Sequence, residues 1–189
     1  TLLLADVVNG KLGGSTAKVL TAALQLGSSV HILIAGQDVA AAAEEASSLF
    51  GVEKVILCTK AAEDTGFIAE ASRIHGAQSV VVCMDVKKNW MGKPQLMTHA
   101  GTKAASGSVT EFAKKVAAAG AGEIIVNSLD RDGTFKGYDI PLIKQVASAV
   151  DVPVIACGGA GNLDHVVEAI RQGGASAAAA LGELGYKVK

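Results

Sequence analysis

The sequence predicts an α/β protein of the parallel (β/α) barrel or barrel-like type, with about seven βα units. Three observations carry this. Short apolar runs recur along the chain, Ala-rich segments with helical spacing separate them, and glycine closes most of those segments. The runs are Leu2 to Val7, Val30 to Ala35, Lys54 to Cys58, Ser79 to Met84, Glu123 to Asn127, Val154 to Cys157 and Ser176 to Ala180, each of strand length. The intervening helices are expected over Ser15–Leu26, Val39–Phe50, Thr65–His75, Val109–Ala119, Pro141–Val150 and Leu163–Gln172. Gly27, Gly51, Gly76, Gly120 and Gly173 fall where a left-handed C-terminal cap turns the chain towards the next strand. Strict alternation implies parallel strands joined by right-handed crossovers, in a closed barrel or an open doubly wound sheet. At about 25 to 27 residues per unit the count is one short of the usual eight, and the final unit, ending in Leu181–Lys189, reads as truncated.

At 189 residues, one domain is expected over 1–189, with a large core. Apolar residues make up 50% and aromatics only 4%, so Ala, Val, Ile and Leu must build that core, as suits buried parallel strands under helices. The net charge is −1 with signs interspersed and no basic run, which argues against nucleic acid or an anionic membrane as partner. No run approaches the length of a membrane span, and no signal peptide is evident at the N-terminus, so a cytoplasmic protein is expected. Cys58, Cys83 and Cys157 stand singly in apolar runs, read as buried reduced thiols rather than metal or redox pairs. No metal and no cofactor are expected.

Polar residues at strand ends mark the functional rim. Asp6 follows LLLA, Asp85 follows VVVCM, and Asp130 and Asp132 stand in NSLDRDGT beside Asn127 and Ser128. Carboxylates facing each other across a strand-end pocket can act as general acid and base, although single aspartates also cap loops. The long segment Asp85–Ser108, with Trp90, Pro94 and His99, is expected as a β-excursion over the same rim. Lys87 could place a cation near a substrate phosphate or simply solvate this loop. After a buried strand and before a helix, Gly158-Gly159-Ala160-Gly161 offers bare backbone N–H groups to a phosphate, helped by the helix dipole. It has neither the GxGxxG spacing of a dinucleotide site nor the lysine of a P-loop. His31, His75 and His165 are expected in packing or surface roles, which leaves His99 on the rim.

From about Asp64 to Ala180, the motifs GAQSVVVCMDVKKN, GAGEIIVNSLDRDGT followed by KGYD, and PVIACGGAGN resemble the cyclase subunit of imidazole glycerol phosphate synthase. That resemblance implies a (β/α)₈ barrel joining ammonia from a glutaminase partner to a bis-phosphorylated ribulosyl substrate. The products are imidazole glycerol phosphate and an aminoimidazole nucleotide. It implies an acid–base role for Asp85, a catalytic role for Asp130 with Asp132 on the rim beside it, and a phosphate site at Gly158–Gly161. Outside that segment, Asp6 ends the first strand, where the family has its other catalytic aspartate, and Gly36 and Thr59 fall near the place of its second phosphate site.

Upstream, residues 1–57, from TLLLADVVNGKLGGSTAKVL to FGVEKVIL, resemble the flavodoxin-like N-terminal domain of electron transfer flavoprotein alpha subunits. In that family most FAD contacts come from a later domain, so no flavin is expected. Together the two resemblances imply a fusion, natural or engineered, of a flavodoxin-like segment (1–60) and a half-barrel (61–189), joined between Gly51 and Asp64. Replacement of the first three cyclase units, and an ending AAAALGELGYKVK without the family's serine and closing helix, imply binding with weak or absent turnover. The glutaminase docking face draws partly on the replaced half. Two other readings stand beside this one: a chimeric scaffold without native activity, and an electron-transfer-type domain.

Overall fold

The computed structural model describes residues 2–5, 7–26, 30–34, 40–49, 52–57, 61–62, 64–99 and 101–180. The chain divides into two compact units, Thr1–Val82 with Ala118–Gly122, and Cys83–Ala117 with Glu123–Lys189.

In the first unit, β1 (Leu2–Leu4), β4 (Val30–Ile34), β5 (Val52–Leu57) and the start of β6 (Val80–Lys88) lie side by side in that order. Every pairing is parallel: Leu3 stands opposite Ile32, Leu33 opposite Ile56, and Ile56 opposite Val81. Helices α1 (Gly14–Leu26), α2 (Ala40–Ser47) and α3 (Gly66–His75) connect them. Ile32, Ile34, Val81 and Val82 are sealed from solvent, with Leu20 and Ala23 of α1, Ala42 and Ala46 of α2, and Ile68 of α3 also buried. A two-stranded antiparallel ribbon, β2 (Val7–Val8) with β3 (Lys11–Leu12), precedes α1. A shallow depression of about 340 Å³, lined by Lys11, Ala41, Glu45 and Ser48, contains none of the residues singled out above.

In the second unit the remainder of β6 neighbours β9 (Glu123–Ser128), then β10 (Val154–Cys157), then β11 (Ala177–Ala178). Both β9–β10 and β10–β11 are parallel, with Asn127 opposite Cys157 and Ala156 opposite Ala178. Helices α4 (Val109–Ala118), α5 (Ile140–Ala147) and α6 (Leu163–Arg171) follow the expected spacing. Each starts on a cap. Ser108 and Glu111 exchange hydrogen bonds in a capping box at α4, and donation from Ser108 holds the Glu111 carboxyl below the usual range. Asp139 accepts from Leu142 N–H at α5, where Pro141 takes an early position, and Asn162 accepts from His165 N–H at α6.

Among the described residues, each of the seven apolar runs contains a strand, only Leu2–Leu4 of the first and Ala177–Ala178 of the last lying in the parallel sheet, and each of the six Ala-rich segments contains a helix. The excursion differs in extent from the expectation. Strand β6 continues to Lys88 because its last residues pair antiparallel with β7 (Pro94–Thr98), Asp85 opposite Met97 and Lys87 opposite Gln95, and β7 in turn pairs with β8 (Lys103–Ala104). Among the described residues, no strand pairing closes either run on itself. No described helix is long and apolar enough to cross a membrane.

Strand alternation separates two faces in the second unit. Met84 and Val86, Ile124 and Val126, and Val154 and Ala156 are buried, and Ala156 packs with Ile143 of α5 and Ala169 of α6. That face is covered by helices. Cys83 and Asp85, Ile125 and Asn127, and Ile155 and Cys157 alternate with them and are only half-buried. Cys83 and Cys157 form no disulfide; they are half-buried rather than buried as expected, because they lie on this second face. Cys58 falls outside the described residues.

Candidate functional site

The half-buried face of the second unit carries a polar cluster at the strand ends. Asp85 and Asn127 meet there: Asn127 Nδ2 donates to Asp85 Oδ1 at 2.9 Å. An ionised carboxylate only accepts, so the bond fixes which way the Asn127 amide turns and sends Oδ1 away from Asp85. Oδ1 lies under Gly158, where an added Cβ would stand 3.0 Å from it, and it is buried without a hydrogen-bond donor among the described residues. Asn127 therefore spans from the strand-end carboxylate to the glycine loop.

The glycine loop is shaped by close backbone approach. Gly158 (φ 86°) and Gly159 (φ 103°) both occupy the positive-φ region. A Cβ at Gly158 would come 2.6 Å from the Ser128 carbonyl oxygen, and one at Gly159 would come 2.4 Å from that of Gly137. At Gly161 the obstacle is the Phe135 carbonyl, 2.3 Å away. Gly137 N–H donates to Gly159 O at 2.8 Å, so the loop after β9 and the loop after β10 are hydrogen-bonded together. These glycines have a packing reason that sequence reading did not supply. The Gly161 N–H is also engaged: it donates to His165 Nδ1 at 3.1 Å, which puts the ring proton on Nε2. His165 packs over Gly137 as well, with its Cδ2 3.3 Å from where a Cβ there would stand.

The turn after β9 wraps around the buried Ser128, whose carbonyl accepts from both Arg131 and Asp132 N–H. Asp130 is exposed, and its Oδ2 accepts from Lys88 N–H at 2.6 Å, tying the turn to the end of β6. Asp132 is exposed on the same turn. Lys87 is exposed and shares a strand face with Asp85. Ala160, between the Gly158–Gly159 pair and Gly161, is half-buried. Asp6, Gly36 and Thr59 lie outside the described residues. The structure thus brings together Asp85, Asn127 and Gly158, and separately Asp130 with β6.

Two groups escaped sequence reading. Asp139 is buried, caps α5 and accepts an ion pair from Lys88 Nζ at 2.9 Å; the Asp-Ile-Pro sequence at a helix start was the available signal. Tyr138 is buried and its hydroxyl donates to Ala179 O at 2.9 Å. Burial, and next the charge of Cys157, push the Tyr138 hydroxyl above the usual phenol range. His31 stands in β4, His75 ends α3, and His99 (φ 53°) is half-buried, its Nδ1 3.1 Å from Thr98 Oγ1. Among the described residues no group of three or more His, Cys, Asp or Glu could hold a metal ion.

Parallel strands under helices, with polar groups gathered where those strands end, define the class: an α/β protein with a strand-end site. Within it, the model for histidine biosynthesis proteins matches residues 16–188, and the chain belongs to that family. The match begins inside the segment that resembles the flavoprotein domain and runs across the join expected between Gly51 and Asp64. It carries neither the flavodoxin-like half nor the fusion.

Proposed function

We propose that the strand-end face of the second unit binds a phosphorylated small molecule and that Asp85 is its acid–base group. The chemistry is that of the cyclase branch of histidine biosynthesis, supported on a (β/α) barrel-type frame. Ammonia joins a bis-phosphorylated ribulosyl substrate, and imidazole glycerol phosphate, an aminoimidazole nucleotide and water leave. Its turnover with free ammonia is weak.

One observation carries this reading: the Asn127 amide is bonded to Asp85 on one side and lies against Gly158 on the other. A ligand whose phosphate rests on the Gly158–Ala160 backbone therefore presents its reacting end to Asp85. The carboxylate is half-buried and held by a neutral donor, so it remains free to take a proton from an incoming nitrogen and return it to a leaving oxygen. Membership of the histidine biosynthesis family supports the same substrate class.

The test is ammonia-dependent consumption of the ribulosyl substrate by the wild type and by Asp85→Asn. Asparagine keeps an acceptor for Asn127 Nδ2, so the fold and substrate binding should persist while turnover falls about 10²- to 10⁴-fold. Equal turnover in the two proteins contradicts the role of Asp85. A wild type that neither turns over nor binds the substrate contradicts the whole reading.

A further inference from the structure

The chain holds four asparagines, Asn9, Asn89, Asn127 and Asn162, and each side-chain amide is a latent electrophile. When the backbone nitrogen of the following residue reaches Cγ, a five-membered succinimide ring closes and ammonia leaves. An asparagine is protected by the bulk and fixity of its neighbour and by the engagement of its own amide. Three of the four are protected on both counts. Asn89 Oδ1 accepts from Met91 N–H at 2.9 Å and Lys93 N–H at 3.0 Å, and Trp90 follows it. The Asn127 amide is bonded to Asp85 and is followed by the buried Ser128. Asn162 Oδ1 accepts from His165 N–H at 3.0 Å, and its neighbour Leu163 is fixed as the first residue of α6.

Asn9 is placed differently. It is exposed, and Gly10 follows it, with no Cβ to keep the nitrogen away from Cγ. The pair forms the two-residue turn between β2 and β3, Asn9 at φ 53° and Gly10 at φ 76°, with Val8 opposite Lys11 and Val7 opposite Leu12 behind it. Positive φ at both positions is the left-handed geometry that suits a tight hairpin. A succinimide does not fit that geometry, because the ring fixes ψ of Asn9 outside the left-handed region, so closure waits on opening of the turn. Opening has little to overcome. The ribbon has two residue pairs and forms a sheet of its own, apart from the parallel strands, and a two-stranded hairpin is marginal alone. A hydrogen bond from Leu12 N–H to Glu45 Oε2 at 3.0 Å, itself exposed, ties it to α2.

We propose that Asn9 and Gly10 form a self-modifying site, at which the chain converts an amide to a carboxylate with water as co-reactant. The Gly10 nitrogen loses its proton and bonds to Asn9 Cγ; the Cγ–Nδ2 bond breaks, and the nitrogen departs as ammonia. Water then opens the ring. Cleavage at Cγ leaves aspartate, whereas cleavage at the Asn9 carbonyl carbon leaves isoaspartate, with the main chain rerouted through Cβ and Cγ. The isoaspartyl turn carries one more main-chain carbon, so Val8 no longer stands opposite Lys11 and Leu12 is drawn off Glu45. Modification thus adds a negative charge to a chain of net charge −1 and releases the ribbon from α2.

The test is peptide mapping by mass spectrometry of the full chain held in mildly alkaline buffer at body temperature. Asn9 is expected to exchange its amide for a carboxyl at least about tenfold faster than Asn89, Asn127 or Asn162, with the isoaspartyl peptide predominating. Glu45→Ala, at an exposed position, removes the tie to α2 and should speed conversion of Asn9 about three- to tenfold, in step with faster hydrogen exchange of Leu12 N–H. Glu45→Gln keeps an acceptor and should stay near the wild-type rate. The comparison among the four asparagines is made on the unsubstituted chain and does not depend on how either variant folds. Conversion at Asn9 no faster than at the other three, aspartate without isoaspartate, or a rate indifferent to Glu45→Ala overturns the proposal.

Discussion

Alanine at position 158 tests whether the glycine loop is built on close approach of two backbones. The methyl group would enter at φ 86°, 2.6 Å from the Ser128 carbonyl oxygen and 3.0 Å from Asn127 Oδ1. Holding a non-glycine residue at such a φ costs about 1–3 kcal/mol. The contact with Ser128 O involves backbone on the end of β9, which cannot swing aside as a side chain can, so overpacking adds about 1–3 kcal/mol more. Gly133→Ala provides the reference: it also stands at positive φ, 70°, but a Cβ there meets nothing within 4 Å, so only the conformational part applies. Against a total stability on the order of 5–15 kcal/mol, Gly158→Ala should lose roughly 2–6 kcal/mol and Gly133→Ala about 1 kcal/mol. Urea unfolding followed by circular dichroism, with the slope checked for constancy, measures both. If Gly158→Ala proves no more costly than Gly133→Ala, the close approach is not what the loop depends on.

Two further perturbations probe the frame around the site. Tyr138→Phe removes the hydroxyl that reaches Ala179 O and should cost about 1 kcal/mol near neutral pH. Because folding raises the Tyr138 pKa, its contribution is fully present below the unfolded phenol value of about 10 and is lost as pH rises through the folded one. The variant should therefore show a shallower alkaline loss of stability, and identical alkaline profiles would refute this. Lys88→Met leaves the buried Asp139 carboxylate without its cation, with the Leu142 cap bond still in place. Since Lys88 is itself 44% exposed, the expected loss is about 1–3 kcal/mol, below the range for a fully buried pair. A double-mutant cycle with Asp139→Asn should give a coupling of about 1 kcal/mol, and additive losses would show that the pair contributes nothing.

The element order was readable because parallel strands buried on one face and partly on the other still appear as short apolar runs, and Ala-rich helices keep their 3.6-residue spacing. Strand ends were less so. Nothing in VVVCMDVKK announces that β6 runs on to Lys88; that extension depends on β7 pairing back onto it, a tertiary event. Asp85 and the glycines were visible as residue types out of place at strand ends, but the link between them was not. It needs Asn127 to stand beside Cys157 in register and its amide to be turned by Asp85, and register is set by the packing of the whole sheet. The reason for glycine at 158 and 159 was equally hidden, because it lies in the carbonyls of Ser128 and Gly137, which are distant in sequence. Asp130 was read as a catalytic carboxylate, yet the structure commits one of its oxygens to the Lys88 backbone.

The most direct test of the strand-end site is the backbone amide spectrum of the isotopically labelled full chain as inorganic phosphate is added at constant ionic strength. Saturable shifts confined to Gly158, Gly159, Ala160 and the adjoining Asn127 side-chain amide are predicted, with Gly161 moving less because His165 holds its N–H. Shifts spread evenly over the surface lysines, or silence at these four positions, would contradict it.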